Sequence, residues 1–190
     1  KNSMKKASTP VAGTIGYIAG AGATDNVRIP DDAVYVATGE SLQDALNKAA
    51  GSNRWVIARK GIHTLPTTLK MPSGVTLCGE GAGTVLFLDP RSGERDAIVN
   101  AADDMHDVTI RNLLLEGALS TEVPSDPNSN RSFRAKGNRG GIIFRAQKAG
   151  QMKHLQCRDR TVAGCTFDGV SISGAEDVTV ERCNFKGDGS

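Results

Sequence analysis

The chain has 190 residues, a net charge of +2 and a hydrophobic share of 38%. That is enough for one domain with a real core, and the overall charge singles out no partner. Its 22 glycines and 4% aromatics suit a turn-rich β architecture better than a helical one, and no apolar run is long enough to span a bilayer.

In chain order, residues 1–32 read as a polar, Gly/Ala-rich arm, and KNSMKKASTP has a basic start without the apolar stretch of an intact signal peptide. VYVATGESLQDALNKAAG then reads as a strand followed by a helix. Ser41 is the N-cap, Asp44 lies in the first turn, Leu42, Ala45, Leu46 and Ala49 share a face, and Gly51 ends it. RWVIARKGIHTL and SGVTLCGEGAGTVLFL follow as short strands with glycine turns, His63 and His106 falling in turns. GEGAGT at Gly79–Thr84 has neither the following Lys nor the helix of a phosphate loop and is a glycine turn.

A phrase then recurs. Val108–Gly117, Arg160–Gly169 and Val178–Gly187 set in register align Ile110 with Val162 and Val180, Leu113 with Cys165 and Cys183, and Leu115 with Phe167 and Phe185. Each phrase holds two short runs of alternating apolar residues, the mark of strands with one buried face, and recurrence at this spacing marks stacked units. Strands climbing by one spacing of roughly 4.8 Å would turn the columns into buried interior stacks. The expected fold is all-β, a parallel β-helix, with the amphipathic helix capping its first turn.

The run ESLQDALNKAA, WVIARKGIHTL and MPSGVTLCGEGAGTVL, followed by DVTIRNLLLEG repeats, resembles the start of right-handed parallel β-helix proteins of the pectate-lyase-like superfamily. The resemblance covers roughly residues 33–190, as the N-terminal coils of a β-helix domain that is incomplete at its C-terminus, with self-association or a missing C-terminal portion covering the last coil. It implies a three-strand coil: VTIRNLLLEG supplies the second strand, turn and third strand, while GGIIFRA and VSISG supply first strands of successive coils. It also places the ligand cleft along the first-strand sheet, between the loops on either side.

Two long segments fall there, ALSTEVPSDPNSNRSFRAKGNR and QKAGQMKHLQCRD. Between Ser120 and Arg160 nine Lys/Arg (131, 134, 136, 139, 145, 148, 153, 158, 160) face three acids (Glu122, Asp126, Asp159), a local balance of +6. Positive charge concentrated beside a cleft points to an anionic ligand; the alternative is an ordinary solvated loop face. Alternation turns Ile142 and Phe144 inward beside Val170 and Ile172, and Ile143, Arg145, Ser171 and Ser173 toward the groove.

The resulting expectation is a secreted, periplasmic or cell-surface polysaccharide lyase acting on an acidic, uronate-containing polysaccharide. Its catalytic candidates are Arg145 and Lys136, to neutralise the uronate carboxylate, and His154, as base. Arg139, Lys148, Arg158 and Ser173 are candidates for substrate binding. No cofactor is expected. Neither first strand offers the groove carboxylates of a calcium-dependent lyase, and the cysteines at 78, 157, 165 and 183 lack zinc spacing and suit core packing. Basic residues without interleaved aromatics do not suggest nucleic acid. The alternatives are a polygalacturonase-type glycoside hydrolase, for which Asp159 and Asp168 are the nearest carboxylates, and a non-catalytic glycan-binding or structural β-helix.

Overall fold

A computed structural model of the protein describes residues 17–20, 23–81, 83–116, 140–163 and 169–186. The whole of the first long segment, Lys136 and Arg139 included, and the packing expected of Val162, Cys165, Phe167 and Phe185 fall outside the described residues and side chains.

The helix forms where its caps and apolar spacing place it. In α1 (Leu42–Ala49) the Ser41 hydroxyl accepts from the Asp44 amide at 3.1 Å, and Gly51 turns the chain away with φ of 68°. Leu42, Ala45, Leu46 and Ala49 are all buried in the main core cluster. The remaining regular structure is strand: β1 (Tyr17–Gly20) and β2 (Ala23–Arg28), an antiparallel pair, then β3 (Val34–Val36), β4 (Arg54–Ala58), β5 (Gly61–Leu65) and β6 (Leu69–Met71). They are followed by β7 (Val75–Gly79), β8 (Thr84–Leu88), β9 (Asp96–Asn100), β10 (His106–Arg111), β11 (Leu114–Glu116), β12 (Gly140–Arg145), β13 (Met152–Ala163), β14 (Val170–Ser173) and β15 (Ala175–Lys186).

Apart from β1 and β2, these strands form a nine-stranded and a four-stranded sheet, with every pairing parallel. The larger sheet contains two ladders, β3-β4-β7-β10 and β5-β8-β11, joined because β13 is long enough to pair with β10 and then β11, and β15 pairs along β13. The four-stranded sheet runs β6-β9-β12-β14. From β4 onward the chain visits the three ladders in the same order on each pass, so each strand lies beside its counterpart from the next pass.

Registered side chains then stack. Val56, Leu77, Ile110, Cys157 and Val180 form one column, and Leu69, Ile98, Ile142 and Val170 another. Removing such side chains from water stabilises the fold by roughly 1.5–3 kcal/mol each when burial is complete. Asn112 makes the bend between β10 and β11 with φ of 57° and is itself buried, its Nδ2 donating to the Gly79 carbonyl at 3.0 Å. A second, smaller cluster lies on the outer side of the first ladder, where Ile29 packs with Ile57 and Cys78, so the end of the arm expected at 1–32 is docked against the sheet.

The register corrects the alignment of the repeated phrase. Ile110 pairs with Cys157, not Val162, and Cys157 pairs with Val180; Val162 lies opposite Leu115 and Phe185. The middle phrase therefore begins at Leu155, opposite Val108 and Val178, rather than at Arg160. Ile110, Leu113 and Leu115 are buried as expected, but Val180 is 45% exposed and Cys183 only half-buried. The physical reason is position: β15 has β13 on one side and no further strand on the other among the described residues, so its inward side chains lack a neighbouring layer. His63 and His106 also depart from expectation, His63 being a buried residue of β5 and His106 the first residue of β10 rather than parts of turns.

The two edges differ. At the first, α1 contacts β3, β4, β6 and β7. The Gln43 side chain pairs with the β6 backbone, accepting from the Lys70 amide at 2.8 Å and donating to its carbonyl at 2.9 Å. A side-chain amide thus replaces a missing strand at an otherwise open edge. At the far edge Val178 and Val180 stand exposed.

Candidate functional site

Each pass enters the first ladder through a left-handed residue. Asn53, Gly74, Asp107, His154 and Asp177 have φ of 55°, 64°, 54°, 53° and 55°, and each immediately precedes a residue of one register row, Arg54, Val75, Val108, Leu155 and Val178. Gly, Asn, Asp and His are the residue types that occupy this region most readily, so the turn itself restricts what the column can hold. In its last three positions that restriction has stacked Asp, His and Asp.

The stack is hydrogen-bonded across passes. His154 Nδ1 lies 2.9 Å from Asp107 Oδ1, and His154 Nε2 lies 3.5 Å from Asp177 Oδ2. His106 Nδ1 is 2.9 Å from the other Asp107 oxygen. A carboxylate can only accept, so Nδ1 of each imidazole carries the proton. Neutral His154 therefore presents an unprotonated Nε2, and 3.5 Å from Asp177 is long for a hydrogen bond. The two imidazole bonds, that of His106 first, hold the Asp107 carboxyl below its ordinary range. In the adjacent row Lys153 Nζ meets Glu176 Oε1 at 2.7 Å, which lowers the glutamate and raises the lysine. All these side chains are about half-exposed or more, so each contact is individually weak.

Arg145 ends β12 and is exposed. Its backbone is held on both sides by Asn100, whose Oδ1 accepts from the Arg145 amide and whose Nδ2 donates to its carbonyl, both at 2.9 Å. As expected, Arg145 lies opposite Ser173, with Ile142 opposite Val170 and Phe144 opposite Ile172. Ile143, on the opposite face from the core, is buried rather than open. The segment expected as a second long loop is a short turn: the chain re-enters strand at Met152. That turn rests on Gly174, whose carbonyl accepts from the Gln151 and Met152 amides. A Cβ at Gly174 would come within 2.9 Å of the Lys148 carbonyl. The turn thereby carries the chain from exposed Arg145 and Lys148 directly to Lys153 and His154, with Ser173 on the neighbouring pass.

Arg158 is elsewhere. It sits further along β13, half-buried on the face opposite Cys157, with Nη1 3.2 Å from Glu181 Oε1. The sequence reading also missed the acids of the edge: Asp107, Glu176 and Asp177 come from neighbouring passes, and Glu176 offsets the positive charge of Lys153. A signal for them was present, since Asp107 and Asp177 directly precede the repeated Val-Thr runs, and His154 precedes Leu-Gln in the same place.

A groove of about 390 Å³ lies at the other edge, lined by Ser41, Leu42 and Gln43 of the α1 start and by the β5–β6 corner around His63, Thr64 and Thr67. Because β6 and β14 occupy opposite edges of their sheet, this groove is distinct from the Arg145–His154 edge. Among the described residues no group of three or more His, Cys, Asp or Glu could hold a metal ion, and no helix is long and apolar enough to cross a membrane. Searches with this chain against protein-family models, curated proteins and solved structures found no match.

Proposed function

We propose that the protein is a right-handed parallel β-helix of the pectate-lyase-like kind that acts outside the cytoplasm as a lyase on an acidic polysaccharide. The repeated visiting order of three parallel ladders supports the fold reading, and the right-handed sense follows the general preference of parallel crossovers. One observation carries the chemistry: the Nδ1 bond to Asp107 leaves Nε2, 3.5 Å from Asp177 Oδ2, as the unprotonated nitrogen of the half-exposed His154. In β-elimination that nitrogen takes the proton beside the uronate carboxylate. The resulting electron pair forms a carbon–carbon double bond as the glycosidic oxygen leaves the next carbon and takes a proton from solvent water. Arg145 supplies the cation that neutralises the carboxylate and stabilises the charge developing on it, with Lys148 and Ser173 as neighbouring binding groups. Lys136 and Arg139 keep the same proposed roles, in neutralisation and binding.

A second reading, a non-catalytic glycan-binding or structural β-helix, is favoured by the way charges on this edge neutralise one another, Lys153 on Glu176 at 2.7 Å above all. The test is incubation with polyuronates and neutral glycans, reading both ultraviolet absorbance of unsaturated ends and new reducing ends. The lyase reading expects both signals on polyuronate, with His154→Asn lowering the rate by about 10²–10⁴-fold. Reducing ends without absorbance would transfer the protein to the hydrolases, and binding without cleavage would favour the second reading.

A further inference from the structure

We infer that the groove of about 390 Å³ beside α1 binds a small, uncharged polyhydroxylated ligand the size of a monosaccharide, with a ligand hydroxyl donating to His63 Nδ1. The first observation is the histidine. His63 is 3% exposed, lines the groove, and ends the inward column His63, Leu86, Leu115 at the α1 edge. Its Nε2 lies 2.8 Å from the Arg59 carbonyl, which can only accept, so Nε2 carries the proton and Nδ1 of the neutral ring is an acceptor. Among the described residues that buried Nδ1 has no hydrogen-bond partner. An acceptor left unpaired inside a protein is costly, and a hydroxyl brought in from the groove removes the cost.

The opposite wall supplies donors. Ser41, Leu42 and Gln43 line it at the start of α1. The Ser41 hydroxyl accepts from the Asp44 amide at 3.1 Å and the Ser41 carbonyl from the Ala45 amide at 3.3 Å, while a helix has no internal partner for the Leu42 and Gln43 amides before them. One wall therefore accepts and the other donates, and a hydroxyl does both. Thr64 and Thr67 add hydroxyls at the corner, and Pro66 and Ile62, the latter 64% exposed, offer apolar surface to C–H faces. Charge argues against an anion: Glu40 lines the same groove and Asp44 sits in the first helical turn, so the positive helix end is already answered. The volume lies at the small end of the range of about 300–1,000 Å³ that ligand pockets occupy. Because Nδ1 is covered, entry takes a rotamer change in the wall, where Thr64 and Thr67 are exposed.

This inference rests on the groove alone and does not depend on the lyase reading. It is tested by titrating the whole chain with galactose, glucose and xylose, and separately with glucuronate and inorganic phosphate, following amide and imidazole nitrogen-15 resonances. The expected result is that a neutral sugar moves the Leu42 and Gln43 amides and His63 Nδ1 together, saturating with a Kd on the order of 1 mM, while the resonances of Arg145 and His154 stay in place. His63→Leu keeps an apolar layer in the column and removes the acceptor, and should weaken binding about 3- to 10-fold. The Nδ1 shift of the unmodified protein decides the matter without the variant: a sugar that saturates the two amides and leaves Nδ1 unmoved would overturn the inference. So would the absence of any saturable shift with the neutral sugars, or a response to phosphate or glucuronate alone, which would make the groove an anion site.

Discussion

Leu46→Ala tests whether α1 belongs to the cooperative core or merely leans on it. Leu46 has no exposed surface and lies in the same cluster as Val36, Val56, Leu69 and Leu77. Truncation removes its transfer free energy and leaves a cavity, which the flanking strands close only in part. The expected cost is about 3 kcal/mol, within the range for buried leucines, against a total stability of order 5–15 kcal/mol. In urea unfolding followed by far-ultraviolet circular dichroism, a slope of about 2 kcal/mol/M turns this into a midpoint about 1–2 M lower with the slope unchanged. Val180→Ala supplies the internal comparison: Val180 is 45% exposed on the edge strand, so its truncation should cost at most about 1 kcal/mol. Equal costs for the two would refute the reasoning, because they would mean that the edge covered by α1 and the open edge are energetically alike.

Two other predictions concern backbone packing and acid. Gly79→Ala would drive a Cβ to within 2.8 Å of Leu113 Cβ and 2.9 Å of Thr84 Cβ, and should destabilise by about 1–3 kcal/mol in the same denaturation assay; a neutral substitution would mean that the β10–β11 bend is looser than described. Asp107 and Glu176 have carboxyls held below their ordinary values of 3.8 and 4.5, by the His106 and His154 bonds and by Lys153 respectively. A depressed folded-state pKa contributes stability above the ordinary value and loses it as pH falls through the folded value. Asp107→Asn should therefore lower the melting temperature near neutrality, with the gap closing in strong acid; a gap that persists there would assign the loss to packing.

Local signals were the readable part of this fold. Ser41, the i, i+3, i+4 spacing of Leu42, Ala45, Leu46 and Ala49, and Gly51 define α1 within a few residues, because caps and periodicity act over one turn. Alternation in GIIFRA and VSIS set the register of β12 on β14, since a shift by one residue would have turned Phe144 and Ile172 out of the core. The middle repeat was misplaced by five residues because Arg160 and Leu155 each stand nine residues ahead of a glycine with apolar residues alternating between. What separates them is the left-handed turn before the strand, occupied by His154 in line with Asp107 and Asp177. The clamps on the site were harder to see. Asn100 on the Arg145 backbone and Asp107 on His154 lie 45 and 47 residues away in sequence. They become partners only through the stacking of successive passes, so the basic excess was plain while the acids offsetting it were marked only by their place before the repeated runs.

The account rests on His154 presenting an unprotonated Nε2 that a uronate can reach, and the nitrogen-15 spectrum of its imidazole reads this directly. In the neutral form the spectrum should show the proton on Nδ1. An oligouronate should perturb the Nε2 resonance, while a neutral oligosaccharide of the same length leaves it unchanged. A neutral His154 protonated at Nε2, or an Nε2 resonance that ignores the oligouronate while the protein binds it, would contradict the assignment of His154 as the base.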